Sequence, residues 1–389
     1  MMLGYLLARA GVQTIVLEKH ADFLRDFRGD TVHPSTLRIM QELGLLEDFL
    51  QLPHQKLYGL EAWIGPLRAK IIDFSQLPPP CNFIAMMPQW DFLNFLATRG
   101  ATLRNFRLLM NTQAVSLIES QGAIIGVEAV GLEGPLRIEA LLTVAADGRH
   151  SRLRAAAGLK TLDLGAPMDV LWFSFPRQPS DGEGLLARME SGRIVIRIDR
   201  GDVWQCAYVV AKDSFDAMRS RGLEAFKNDV AALTELGVDR LAGLASFDDV
   251  KLLSVTVDRL QSWRRTGFLA IGDAAHAMSP IGGIGINLAI QDAVAAANRL
   301  AAPLREGRLT LADLAAVESR RRWPTHAVQA MQIAMQNRVI GPALKGAGPM
   351  RPPLLFRLLA RSPMLRRLAG RALGFGVRAE HVRSGHRLD

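Results

Sequence analysis

The spacing of apolar residues changes period several times along the chain. Met1–Ala10 (MMLGYLLARA) repeats its apolar positions at helical spacing and stops at Gly11, a helix-ending residue. Val12–Leu17 (VQTIVL) follows as a strand ending in Glu18. Ser35–Leu43 reads as a helix, preceded by Pro34 and closed by Gly44. Leu57–Leu77 alternates irregularly, as strands do, up to Pro78-Pro79-Pro80. Trp90–Ala97 is helical, with Asp91 in its first turn. Residues 107–145 predict three strands, around Leu108–Leu117, Ile124–Gly131 and Ile138–Ala145, the last running into Ala146-Asp147-Gly148.

The character changes over residues 165–260. Val170–Phe175, Arg193–Arg197 and Val203–Val210 read as strands separated by polar turns, and Arg219–Leu236 as a helix. Gly267–Ile271 is a short buried strand that enters Gly272-Asp273 and a glycine-rich loop. Ile286–Leu300 and Leu311–Ala334 are helices, the second with a break at Pro324. Two apolar-basic pieces, Pro353–Ala360 and Pro363–Leu373, end the pattern. No internal repeat is visible.

Helix, glycine, strand and acid form the second half of a βαβ dinucleotide-binding unit, in which the acid holds a ribose hydroxyl. The strand and glycine-rich turn that open such a unit are absent, and no GxGxxG at another strand–helix junction replaces them. Loss of a central parallel strand exposes two edges and an apolar face. The alternatives are a misplaced start, a fragment, or a fold that has lost its phosphate-binding turn, and the expectation is a missing segment upstream of Met1.

Composition narrows the class. The chain has 389 residues, 49% apolar and 22% charged, which suits a globular protein of about two domains. Cys81 and Cys206 are too far apart for a metal or redox motif and read as buried thiols. No apolar run of spanning length occurs, and the start does not read as a signal peptide. The net charge of +9 is uneven: residues 345–389 carry ten Lys/Arg and two acids, a local +8. That tail either packs its apolar side on the body or lies on an anionic bilayer. Aromatic residues are 6% and rarely interleave with the arginines, which argues against nucleic acid.

The strongest chemical signal is Leu269–Ile290 (LAIGDAAHAMSPIGGIGINLAI). A hydrophobic strand delivers Asp273 to a sheet edge, Pro280 restricts the turn, and Gly282, Gly283 and Gly285 allow close approach of a flat or anionic ligand. Ile286, Asn287 and the helix they open present free N–H groups. A second signal is the strand-end pair Asp147-Gly148, although Asp-Gly turns are common. Arg28, before Pro34, and Gln89, before a helix, are ambiguous, since lone polar residues are ordinarily solvated.

Together these segments resemble the class A flavoprotein monooxygenases, the para-hydroxybenzoate hydroxylase-like family, over roughly residues 1–340. The resemblance implies an α/β fold: a Rossmann-like FAD-binding domain, discontinuous in sequence, with an inserted antiparallel-sheet substrate domain and a C-terminal helical segment. The FAD-binding parts would be 1–56, 84–164 and 261–344, the substrate domain 57–83 and 165–260, and the basic tail 345–389. By the same resemblance Glu18 meets the adenosine ribose, Arg28 the flavin nucleotide and Gln89 the ribityl or pyrophosphate. Asp147 serves FAD and NAD(P)H, Gly272 and Asp273 the ribityl chain, and Pro280, Gly282, Gly283, Gly285, Ile286 and Asn287 lie under the isoalloxazine.

The implied activity is hydroxylation of an aromatic or olefinic small molecule, polyketide-like or isoprenoid-like in kind. It uses FAD, NAD(P)H and O2 through a flavin C4a-hydroperoxide. Trp172, Trp204 and Tyr208 are candidates to line the substrate side, and His276 to lie near the flavin; no catalytic base or metal ligand is identified. The alternatives are a reductase of the geranylgeranyl reductase type and a degenerate interaction module without FAD. No W-x-W-x-I-P segment of the tryptophan halogenases occurs. A cytoplasmic monomer or homodimer is expected, with peripheral membrane contact through the tail as the variant.

Overall fold

The computed structural model describes residues 1–24, 31–181, 185–346 and 350–383. The elements that position the site begin with α1 (Met2–Arg9), β1 (Thr14–Leu17), α2 (Pro34–Glu42), β2 (Gly59–Ile64), β3 (Leu67–Asp73) and α3 (Gln89–Ala101). Next come β4 (Phe106–Leu109), β5 (Gln113–Ser120), β6 (Ala123–Gly131), β7 (Gly134–Glu139) and β8 (Thr143–Ala145). The middle of the chain adds β9 (Met168–Pro176), β10 (Leu185–Glu190), β11 (Arg193–Asp199), β12 (Val203–Ala211), α4 (Leu223–Thr234), β13 (Lys251–Leu253) and β14 (Phe268–Ala270). Four helices follow: α5 (Gly285–Arg305), α6 (Leu311–Met335), α7 (Leu354–Arg361) and α8 (Pro363–Phe375).

Parallel pairing builds the Rossmann-like part. β1 runs parallel to β4 with Thr14 opposite Phe106, and β8 runs parallel to β14 with Thr143 opposite Phe268. α1 lies close on the first pair: a Cβ on Gly4 would stand 2.4 Å from Val16 Cγ2, so no larger residue fits there without movement. Leu6 and Leu7 of α1 join Val294, Ala297 and Leu300 of α5 in the main hydrophobic core. Among the described residues, β1 and β8 each have a strand partner on one edge only, and both line the same cavity. β5, β6 and β7 form a separate antiparallel meander.

The substrate-side sheet has seven strands in the order β13-β9-β12-β11-β10-β2-β3. It combines two separate stretches of chain and is antiparallel except at β10–β2, which is parallel. Alternation sorts its residues between two faces. Leu171, Phe173, Trp204, Cys206 and Tyr208 pack with Phe226, Val230 and Leu233 of α4. Val170, Trp172, Ile194, Ile196, Ala207 and Val209 point the other way, into the cavity.

Several elements differ from the sequence reading. Leu108–Leu117 is two strands, because Asn111 (φ 51°) turns the chain between β4 and β5. Ile138–Ala145 is also split, since β7 and β8 belong to different sheets. β10 was not anticipated. Arg219–Leu236 is two helices separated at Gly222, whose φ is 90°. α6 runs unbroken through Pro324, where the flanking Arg321 and Thr325 are fully buried and tertiary packing holds the helix line.

Candidate active site

A cavity of about 2220 Å³ lies between the parallel strands and the seven-stranded sheet. Pockets for one small ligand hold about 300–1,000 Å³, so this one has room for a dinucleotide and a second molecule. Of the residues singled out from the sequence, Glu18, Gln89, Asp147, Gly272, Asp273, Pro280, Gly282, Gly283, Gly285 and Ile286 line it. Asn287 does not; it is buried behind the loop. Arg28 lies outside the described residues.

Strand ends bring the two acid-glycine motifs together. The Ile271 N–H donates to the Ala145 carbonyl (3.0 Å), so β8 and β14 release Asp147-Gly148 and Gly272-Asp273 from one edge. Arg149 then spans the motifs, its Nη2 lying 3.7 Å from Asp273 Oδ2. Gly148 (φ 85°) and Gly272 (φ 58°) both hold left-handed backbone that favours glycine. Glu18 is fixed at the end of β1 by its N–H to the Leu109 carbonyl (2.9 Å). Gln89 opens α3 and is half-buried.

The loop over residues 277–283 is stitched from behind by α6 and by Gln336, which follows it. Gln329, Gln332 and Gln336 recur at helical spacing on a buried face. Gln329 Nε2 donates to the Ala277 carbonyl (3.2 Å) and to that of neighbouring Asp258 (2.8 Å), Gln332 Nε2 to those of Ser279 (3.0 Å) and Ile281 (2.9 Å), and Gln336 Nε2 to Ser279 Oγ (2.9 Å). Asn287 ties the loop from the other side. Its Oδ1 accepts from the His33 N–H (2.9 Å) and Thr36 Oγ1 (2.8 Å), and its Nδ2 donates to the Thr31 (3.0 Å) and Gly283 (3.2 Å) carbonyls. Gly285 opens α5 toward the cavity: a Cβ there would meet nothing nearer than 3.9 Å, with Asp273 Oδ1 at that distance. A 21-residue helix thus aims its N-terminal N–H groups at the cavity.

Beneath Gly272-Asp273 lies a buried ionic chain. Asp292 Oδ2 accepts from the Gly272 N–H (3.0 Å) and meets His276 Nε2 at 2.6 Å. Arg321 Nε donates to Asp292 Oδ1 (2.9 Å), and Arg321 Nη1 reaches Glu380 Oε1 at 3.4 Å. Burial pushes the Asp292 carboxyl up, but the charges and hydrogen bonds of His276 and Arg321 outweigh it and hold the carboxyl below its usual value. His276 therefore belongs to this chain beneath the turn; it is buried, stands beside Trp263 and does not line the cavity.

His33 links the loop to the tail helix. Its ring Nδ1 lies 3.0 Å from the Leu373 carbonyl, and its Nε2 is buried. Burial lowers its pKa to about 4, against the pull of the Leu373 and Gly282 carbonyls, so the ring is neutral at pH 7.

On the substrate side, Trp172 lines the cavity, but Trp204 and Tyr208 do not. The register explains the correction. Trp172 stands opposite Ala207, whereas Tyr208 and Trp204 stand opposite Leu171 and Phe175 and share the face that packs on α4. Cys81 and Cys206 are both free and buried; burial pushes the Cys81 thiol up to about 11 and raises that of Cys206 as well. Sequence reasoning passed over Asp292, Arg321 and the glutamine row. A lone acid in the alanine-rich stretch of α5, and the 329/332/336 spacing, were the available signals.

Comparison with known proteins adds the family to which the chain belongs. A family model described as an FAD binding domain matches residues 1–331. The 6-methylpretetramide 4-monooxygenase of Streptomyces rimosus is 31% identical over 385 residues, covering 98% of this chain and 91% of that one. The 12-dehydrotetracycline 5-monooxygenase/anhydrotetracycline 6-monooxygenase of Streptomyces rimosus subsp. rimosus is 30% identical over 310 residues, or 76% of this chain, which spans 59% of that relative's length. Among solved structures, OxyS anhydrotetracycline hydroxylase from Streptomyces rimosus superposes with a TM-score of 0.73 at 26% identity, over 97% of this chain and 74% of that one.

Fold and site therefore define a flavin-dependent oxidoreductase. The chain belongs to the FAD-binding-domain family of class A, para-hydroxybenzoate hydroxylase-like monooxygenases, which use FAD, NAD(P)H and O2 on aromatic compounds. The residues present fit FAD: the cavity is large enough, a helix N-terminus faces it, and Glu18 and Asp273 offer carboxylates for hydroxyl groups.

Proposed function

We propose that the chain hydroxylates a large aromatic, polyketide-like molecule held against the apolar face of the seven-stranded sheet. The observation that carries this is the joining, in one cavity, of a polar end around Asp273 and Gly285 with an apolar end around Trp172 and Ile196. Relatives that act on 6-methylpretetramide and 12-dehydrotetracycline support the substrate class.

In this reading Glu18 holds the adenosine ribose, Arg28, Gln89 and Asp147 contact the nucleotide, and Gly272-Asp273 takes the ribityl chain. Pro280, Gly282, Gly283, Gly285 and Ile286 form the loop beneath the ring, and Asn287 keeps that loop in shape from behind. Bound FAD supplies electron transfer from NAD(P)H and activation of O2. The N–H groups at the start of α5 would stabilise negative charge at the ring edge. The apolar strand face would exclude water from the reacting atoms. Residues 1–56, 84–164 and 261–344 then serve FAD, 57–83 and 165–260 the substrate, and 345–389 form the tail. A cytoplasmic monomer or homodimer, with tail-mediated membrane contact, completes the proposal.

The test loads the full chain with FAD and follows NAD(P)H oxidation, O2 uptake and product mass with candidate polycyclic aromatics. One oxygen atom added per NAD(P)H is the expected result. Anaerobic reduction of a substrate double bond, or no retained flavin, would overturn the proposal.

A further inference from the structure

The two tail helices carry a pattern that the sequence reading missed. Pro353-Leu-Leu-Phe-Arg-Leu-Leu-Ala-Arg361 and Pro363-Met-Leu-Arg-Arg-Leu-Ala-Gly-Arg371 align at an offset of ten residues. Leu354, Leu355 and Leu358 thus correspond to Met364, Leu365 and Leu368, and Arg357 and Arg361 to Arg367 and Arg371. In the structure all of these residues are exposed, Leu354 at 67% and Met364 at 70%. Spacing by three and four puts each apolar set on one strip of its helix, with the arginines on an adjoining strip.

The opposite sides are committed to the body. Phe356 packs on Ala62 and Ile64. Gly370 lies so close to β3 that a Cβ would stand 2.1 Å from the Asp73 carbonyl oxygen. Arg366, at the position of Phe356, donates to the Ala360 carbonyl of α7 (2.9 Å) and so ties the two tail helices to each other. The outward leucines are therefore surplus to the packing that holds the helices in place.

We propose that this outer face docks on an anionic lipid bilayer. Charge selects the occupant: from Met350 to Ala379 there is no acidic residue, and four exposed arginines flank the six apolar side chains. Length selects the mode. Helices of 8 and 13 residues are shorter than the ~20 needed to span, so they lie in the interface. Among the described residues no helix is long and apolar enough to cross a membrane. Leu355 is both exposed and part of the cavity lining, so docking brings the substrate compartment to within about one helix diameter (~10 Å) of the lipid. This deepens the tail contact proposed above and does not depend on the flavin chemistry.

The test is sedimentation of the full chain with vesicles of phosphatidylcholine alone or of phosphatidylcholine mixed with phosphatidylglycerol as the anionic lipid. The expected result is binding to the anionic vesicles only, lost at high salt. The R357Q/R361Q/R367Q/R371Q variant should bind at least a hundredfold more weakly, at about fivefold per arginine. L354S/L358S/M364S/L368S should also lose binding. Flavin content and turnover of a water-soluble substrate, which report on the proposed function, should stay unchanged in both variants. No sedimentation, equal binding to both vesicle types, or anionic binding that survives the arginine changes would overturn the proposal. So would a dimer that the serine variant converts to monomer while the wild-type chain ignores vesicles.

Discussion

His33 should make the contact between the glycine loop and α8 sensitive to mild acid. Its folded pKa is about 4 against an ordinary 6.5, because burial penalises the charged ring. The unfolded chain takes up a proton between those values and the folded chain does not, so stability is full above pH 6.5 and is lost as pH falls toward 4. At about 1.36 kcal/mol per pH unit the whole effect is roughly 3 kcal/mol, of which about 2 is lost by pH 5. The assay is urea unfolding from pH 7 to pH 5, comparing the wild-type chain with His33→Asn. The asparagine amide can still donate to the Leu373 carbonyl but does not titrate in this range. Asn should cost stability at pH 7, and the gap between the two proteins should narrow by about 2 kcal/mol at pH 5. Taking the difference cancels carboxylates that titrate in both. A gap that stays constant would refute the assignment of a buried, neutral His33.

Asp292→Asn removes the nearer of the two carboxylates that meet buried Arg321 and should cost about 3–5 kcal/mol. At ~2.1 cal/mol/K per residue, this lowers Tm by about 4–6 °C in a calorimetric scan. Asp273→Ala should weaken FAD binding by roughly ten- to hundredfold in a fluorescence titration, through loss of one or two charge-assisted hydrogen bonds, with little change in the apoprotein Tm. Gly283→Ala puts a Cβ 2.4 Å from Thr31 Oγ1 at a φ of 61° and should lower both Tm and flavin occupancy in the purified chain. Trp172→Ala should raise KM for a polycyclic substrate while flavin absorbance per chain stays the same; a fall in flavin content would place Trp172 among the residues that support the cofactor.

The periodic and punctuated parts of the fold were legible in the sequence. Gly11, Gly44 and Pro34 bounded α1 and α2 correctly because backbone conformation at a helix end is a local property. The strand–acid–glycine run after Leu269 also needed no long-range information. Register was different. Trp172 and Tyr208 look alike as aromatic residues in strands, and only the pairing of β9 with β12 assigns them to opposite faces. Asp292 and Arg321 lie far apart in sequence and gain their meaning from the packing of α5 on α6. The sequence places Asn287 in the glycine-rich loop; that its side chain is taken up by Thr31, His33, Thr36 and Gly283 is something no local pattern reveals.

The alternation along β9, β11 and β12 of the seven-stranded sheet has a consequence for diversification. In these strands residues facing the cavity and residues facing α4 are interleaved one by one and belong to different hydrophobic clusters. Val170, Trp172, Ile194, Ile196, Ala207 and Val209 therefore form a set that could be randomised together in a combinatorial library while Leu171, Phe173, Cys206 and Tyr208 keep the domain folded. Substrate range can drift on this surface with little loss of foldability, which makes the sheet a favourable starting point for directed evolution.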